Sequence, residues 1–235
     1  MAQLADTSLF NDANLVAYWK LEDVNDSKNG YNLTNNGTTP FNAAKFVNGA
    51  DFGTSNTTKW LGISNALGID GGNISVSLWW KPGDLTSGTQ QWLFSQANTT
   101  SKTAYEIRMS GTDPNSGTLT IERRKPGVAN ETGNYRLPFV VGDWHHICLT
   151  YDGTTMKGYI NGVERISFAA SGNGSATETT QAVIGSANVG SANQLAQGII
   201  DDVGVFSRAL TATEVSTLYT DAAAASNKFA LLGVG

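Results

Sequence analysis

The sequence predicts an all-β fold of short antiparallel strands, and three observations carry that prediction. Hydrophobic residues make up 40% of the 235-residue chain and charged residues only 15%, a balance that favours strands and turns over charged helices. Apolar and polar residues alternate in short runs, the period of a half-buried strand. Gly, Asn, Asp or Pro separates most of those runs, at the spacing expected of a sandwich or barrel.

Residues 1–14 are polar and aperiodic, which predicts an N-terminal arm. Leu15-Val16-Ala17-Tyr18-Trp19-Lys20-Leu21 is rich in strand formers, and Asp26 to Gly30 supplies the turn after it. In Ile74 to Lys81 the residues Ile74, Val76, Leu78 and Trp80 share one face, Ser75, Ser77, Trp79 and Lys81 the other; Pro82-Gly83 stops the strand. Further strands are predicted at Trp92–Gln96, Tyr105–Met109, Leu119–Arg123, Ile147–Tyr151, Met156–Ile160 and Val163–Phe168. Asn161-Gly162 marks a type I′ hairpin turn, because both residues tolerate positive φ. Ile199–Phe206 reads as a final buried strand that holds Asp201 and Asp202 in an apolar run. Thr211 and Glu214 then form a capping box, with Leu210 and Val215 as its hydrophobic staple. Val215, Leu218 and Tyr219 share one face of the short helix that follows. The predicted organisation is an arm over 1–14, a sandwich over 15–219 and a tail over 220–235.

A net charge of −5 argues against nucleic acid, whose affinity comes from Lys and Arg at the phosphates. No apolar run approaches the roughly 20 residues needed to span a bilayer, so no membrane insertion is expected. No basic stretch followed by an apolar one marks a secretory signal near Met1. Cys148 is the single cysteine, which excludes an intrachain disulfide.

Several motifs recur in a recognisable order: Leu15 to Leu21 with Asp26-Ser27, Asn48 to Gly53, Ile74 to Pro82, Gly142-Asp143-Trp144-His145-His146-Ile147 running into Thr150 to Gly153, Tyr159 to Gly162, and Ile200 to Val203 with Arg208 to Thr211 and Glu214. In this order they resemble the laminin-G-like jelly-roll family of the concanavalin A-like lectin and glucanase superfamily. The match runs over about residues 15–219. The resemblance implies a two-sheet antiparallel jelly-roll sandwich with one short C-terminal helix, a bindable concave face and, in some members, bound Ca²⁺. The stretch Gly49 to Gly53 is shorter than the family pattern, which leaves no assigned loop role for Asp51.

Fold does not decide function, so each candidate site rests on its own residues. Glycoside hydrolysis needs paired carboxylates, and Glu106 and Glu122 stand alone in their strands; no enzyme is expected. His145 and His146, adjacent on a strand, point to opposite faces and cannot share a metal or a proton. Cys148 reads as a packed side chain. Ca²⁺ is the candidate cofactor, with Glu22 and Asp23 after the first strand and Asp201 and Asp202 in the last as its ligand set. The candidate ligand-binding residues are Trp79 and Tyr159 as aromatic platforms, together with Glu106 and Arg108. For Trp79 burial beneath a covering loop is the favoured reading over the platform, while Trp19, Trp80, Trp92 and Trp144 are assigned to the core.

The expected function is recognition: a lectin-like adhesion module, extracellular or displayed on a cell or virion surface, whose partner is a carbohydrate or glycoprotein. The alternative is a structural subunit of a surface or virion assembly, a homo-oligomer or larger array joined through its termini.

Overall fold

The computed structural model describes residues 3–69, 72–97, 103–124, 129–170, 181–188 and 194–220. In chain order the strands are β1 (Leu15–Trp19), β2 (Thr34–Asn36), β3 (Phe41–Ala43), β4 (Asn48–Asp51), β5 (Trp60–Ile63), β6 (Ile74–Pro82), β7 (Gln91–Ala97) and β8 (Thr103–Asp113). They continue with β9 (Ser116–Arg123), β10 (Glu131–Leu137), β11 (His145–Tyr151), β12 (Thr155–Ile160), β13 (Val163–Ala169), β14 (Gln181–Ile184) and β15 (Gly198–Phe206). Helix α1 covers 212–220.

Two antiparallel sheets form. The first runs β13-β12-β11-β6-β15-β4-β3 with β1 also paired to β15; the second runs β10-β9-β8-β7-β14-β5-β2. The alternation read from Ile74 to Lys81 is realised in β6. Ile74, Val76, Leu78 and Trp80 join one core cluster with Ile147, Leu149 and Tyr151 of β11, Ile107 and Met109 of β8, and Leu119 and Ile121 of β9. This is the layer between the sheets. The hairpin turn forms as predicted, with φ of 51° at Asn161 and 76° at Gly162 and Ile160 opposite Val163.

The other face of the first sheet is buried too. Leu4, Leu9, Leu15, Tyr18, Cys148, Tyr159, Phe206, Leu210, Val215 and Leu218 make a second apolar cluster. Helix α1 supplies part of it, held by the predicted box: the Thr211 amide donates to Glu214 Oε2 at 2.8 Å, and the Glu214 amide donates to Thr211 Oγ1 at 3.2 Å. Residues 3–11 supply the rest through two 3-10 turns, Leu4–Asp6 and Ser8–Asn11. Arg208 ties these pieces together, donating to Asp12 through Nε at 2.8 Å and to Glu214 through Nη1 at 2.9 Å. Ser75 Oγ of β6 donates to the Arg208 carbonyl and accepts the Leu210 amide. The arm assigned to 1–14 therefore packs on the sandwich over its described part. The tail assigned to 220–235 lies, beyond Thr220, outside the described residues.

Trp19 and Trp80 are fully buried in the core. Trp144, assigned there as well, is only half-buried. No helix among the described residues is long and apolar enough to cross a membrane.

The arm's contribution is measurable. Leu4 is 1% exposed, and Leu4→Ala is expected to lower the unfolding free energy by about 2–3 kcal/mol, the cost of an unfilled leucine site. Urea denaturation checks it: the midpoint drops at unchanged slope, and an unchanged midpoint would show that the 3-10 turns do not anchor.

Candidate functional site

Strand alternation sends Trp79 and Tyr159 to the covered side of the first sheet, where neither offers a face to a ligand. Trp79 is 2% exposed. Its ring stacks on Tyr219 of α1 with centroids 6.0 Å apart, meets Phe46 edge-on, and lies 4.3 Å from the Lys45 ammonium. Tyr159 is equally buried within the second apolar cluster. Trp79 thus lies under cover, the reading favoured for it from the sequence, and the candidate platform at Trp79 and Tyr159 does not form: residues 45–46, α1 and the N-terminal turns close over the face they occupy.

The four acids assigned to Ca²⁺ are engaged separately. Asp202 accepts the Leu4 amide at 3.2 Å and the Tyr18 hydroxyl; Asp201 accepts the Phe46 amide at 3.1 Å. Both lie on the covered side because the register shifts between Asp201 and Gly204, with Asp202 in the left-handed region at φ 55°. Glu22 accepts from Gln3 Nε2 and Asp23 from the Asn25 amide. Among the described residues no group of three or more His, Cys, Asp or Glu is placed to hold a metal, so these acids do not fit the six to eight converging oxygens of a Ca²⁺ site.

The histidines point opposite ways, as expected. His146 exchanges a hydrogen bond with Ser77 Oγ at 2.8 Å beneath Trp79, and burial pushes its pKa down to about 3, which keeps it neutral. His145 packs against Phe139 with centroids 4.7 Å apart. Cys148 is fully buried and its thiol is pushed up by burial, so it is no thiolate nucleophile.

The remaining pair, Glu106 and Arg108, lies on the second sheet. Tyr105, Ile107 and Met109 of β8 enter the core, so Glu106 and Arg108 face outward. In register, Glu106 sits opposite Glu122 and Arg108 opposite Thr120 of β9, with Trp92 of β7 opposite Arg108 on the other side. Two carboxylates directly opposed across strands repel. Arg108 bridges them, donating to Glu122 Oε2 at 3.0 Å and to Glu106 Oε1. Arg124 Nε and Asn130 Nδ2 donate to Glu122 Oε1 at 2.7 and 2.8 Å, and Thr132 Oγ1 to Oε2 at 3.0 Å. The Trp92 indole N–H donates to Glu106 Oε2 at 3.0 Å, and the Arg108 guanidinium lies 5.3 Å from its ring centroid.

Around this network a cleft of about 400 Å³ opens, walled also by Gln90, Ala187 and Gln194. That volume lies within the range of small-ligand sites. All four carboxylate oxygens of Glu106 and Glu122 already accept hydrogen bonds, three of the six donors being guanidinium nitrogens. A retaining hydrolase needs one carboxyl that carries a proton to the leaving group and a second free to attack. This pair is arranged instead as a charge-balanced floor, with amide and guanidinium groups at the rim.

Trp92 is buried, at 3% exposed, as its assignment to the core implies, but it packs outside the cluster between the sheets. The register passes from Trp92 to Phe94 with a shift; Leu93 and Phe94 both enter the core, and Trp92 is left on the outer face. Sequence reasoning names Glu122 only as an acid alone in its strand, not as the partner of Glu106, and it does not place Arg124, Asn130, Gln90 or Gln194 at a site. The signal that would find Glu122 is the hairpin whose end pair is Asp113 and Ser116. Counting outward from it falls one residue short, because the register shifts between Ser110 and Asp113, and a one-residue slip exchanges the two faces.

A family model described as the concanavalin A-like lectin/glucanases superfamily, of the laminin-G type, matches residues 52–216. No curated protein sequence matches the chain. Among solved structures, the chain is similar to domain 4 of an extracellular GH43 arabinanase from Geobacillus stearothermophilus, in complex with arabinotriose. That similarity has 22% identity and a TM-score of 0.65, over 88% of this chain and 98% of the other. It is also similar to a structure of botulinum neurotoxin type C, whose cell entry depends on interaction with two ganglioside molecules. There the identity is 13% and the TM-score 0.68, over 89% of this chain and 51% of the other. A heptameric pentraxin from Limulus polyphemus is similar at 21% identity and a TM-score of 0.51, over 63% of this chain and 69% of the other.

Two outcomes follow from these contacts. EDTA is expected to leave the melting temperature unchanged; a fall of several degrees, with stoichiometric metal by elemental analysis, would reveal a ligand set that the described acids do not form. Asp201 is pushed up to about 8 by burial, reinforced by the charge of Asp202. An acid raised above its unfolded value of about 3.9 stabilises the fold while protonated and loses that contribution as pH climbs through about 4 to 8. Asp201→Asn keeps an acceptor for Phe46 without the charge, so its melting temperature relative to wild type should rise between about pH 5 and pH 8. A difference that stays flat across that range would assign the acid an ordinary pKa.

Proposed function

The chain belongs to the laminin-G type of the concanavalin A-like lectin/glucanases superfamily, and from that premise we propose that it is a non-catalytic carbohydrate-binding module of a secreted or surface protein. The observation that carries this reading is the polar cleft on the second sheet. Charged and amide groups held in fixed positions are what oriented hydroxyls require. Arg108, Glu106 and Glu122 hold one another, so a sugar meets prepaid order rather than side chains that must be immobilised on binding. Arg124, about a third exposed at its side chain, and Asn130, exposed at the rim, are placed to meet it.

The arabinotriose complex of the arabinanase domain and the gangliosides of the neurotoxin support the ligand class. They also support an extracellular setting, since the arabinanase is itself extracellular. The absence of catalysis is read from the ion pairs that hold both carboxyls ionised: Arg108 engages Glu106 and Glu122, and Arg124 engages Glu122, so neither is set up as a proton donor.

A glycan array followed by calorimetry tests the proposal. Specific hits are expected, and Arg124→Ala should weaken them by about tenfold, equivalent to about 1.4 kcal/mol. The melting temperature should move by only a few degrees. The same glycans should release no reducing ends. A silent array would sink the reading, and hydrolysis abolished by Glu106→Gln would replace it with an enzyme.

A further inference from the structure

The outward row of β8 and β9 continues beyond the Trp92 cleft. Arg108 faces Thr120, and the next outward pair is Ser110 with Thr118. Alternate residues on a strand are about 6.6–6.8 Å apart, so this step is shorter than a small oligosaccharide. Here a second cleft of about 180 Å³ opens, lined by Ser110, Thr112, Ser116, Thr118 and Arg136 among others.

The two clefts differ in charge. Around Trp92, two arginines meet two glutamates and their charges are used up within the protein. Among the described residues, no carboxylate lines the second cleft. Arg136 is exposed on β10 and donates through Nη2 to Ser116 Oγ at 3.0 Å. None of the ion pairs among the described residues includes it. Asp113 and Asp84 do not line the cleft and are engaged locally: Asp113 accepts the Asn115 amide at 2.8 Å, and Asp84 accepts the Thr86 amide and hydroxyl. A guanidinium fork with one hydroxyl partner, beside further Ser and Thr hydroxyls, matches a planar or tetrahedral oxyanion.

We propose that the Arg136 cleft is a second subsite that takes an anionic substituent, a carboxylate or a sulfate, on a sugar unit adjacent to the one held at the Trp92 cleft. The ligand is then an acidic oligosaccharide lying along β8 and β9. This rests on the carbohydrate reading of the first cleft. The chain's net charge of −5 opposes long-range attraction of a polyanion, so the discrimination comes from contact at Arg136 rather than from steering.

The test uses the full chain and matched pairs of oligosaccharides. Each uronate is set beside its methyl ester and each sulfated glycan beside its desulfated parent, first on an array and then by calorimetry. The acidic member of a pair is expected to bind about tenfold more tightly at low salt, and less so as ionic strength rises. Arg136→Ala should abolish that preference while leaving the affinity for the neutral parent in place, and Arg136→Lys should retain part of it. Preference for uronates alone identifies a carboxylate, and preference for sulfated glycans alone identifies a sulfate. Equal binding within every pair, or a preference that survives Arg136→Ala, overturns the subsite while the Trp92 cleft stands if Arg124→Ala still weakens binding. An array without hits overturns both.

Discussion

Strand β6 presents Ile74, Val76, Leu78 and Trp80 to the layer between the sheets, and Ser75 and Trp79 to the side closed by α1 and residues 45–46. Burial on both faces constrains what packs around it. Its second face cannot be left as a polar strand surface, so Ser75 is satisfied by the backbone at Arg208 and Leu210, and Ser77 by His146. The same closure holds Asp201 and Asp202 away from water, where burial raises both carboxyls. It also ties the N-terminal turns to the helix entry through Arg208, whose ion pair holds Glu214 down to about 2.

With one sheet covered on its outer side, recognition falls to the other. The outer face of β8, β9 and β10 carries Thr, Asn, Arg and Glu rather than apolar residues, and Thr132, Asn134 and Arg136 remain exposed. Its most buried part is also its most charged. Glu106 and Glu122 would repel as bare neighbours, and Arg108 between them turns repulsion into a bridged network. Such a network gives a site fixed hydrogen-bonding directions, because each member is oriented by the others before any ligand arrives.

The long strands were legible because one side of each faces the interior: the period-two pattern of β6, β11 and β15 survives in the sequence as a run of apolar residues. Five short strands, β2, β3, β4, β5 and β14, and the seven-residue β10 do not show as strands in the sequence. Thr34–Asn36 and Phe41–Ala43 are three residues long and mostly exposed, too short to show any period. Glu131–Leu137 does alternate in burial, but its inward positions include Glu131 and Gly133, so hydrophobicity does not report it. The burial of Trp92 is legible but the face it takes is not, because a bulge has no composition of its own: Leu93 and Phe94 side by side in the core look like an ordinary apolar run.

Taken alone, the sequence determined the all-β class, the type I′ turn at Asn161-Gly162, the capped helix start at Thr211 and the opposite directions of His145 and His146. Each of these depends on residues within a few positions of one another, where backbone preference and side-chain alternation act directly. Only the tertiary structure decided that Trp79 and Tyr159 lie under a lid and that the four acids do not converge. It alone decided that Glu106 meets Glu122 across a strand pair. Those outcomes depend on register, bulges and what closes over a face. A shift of one residue reverses such contacts, and the chain writes no local mark of it.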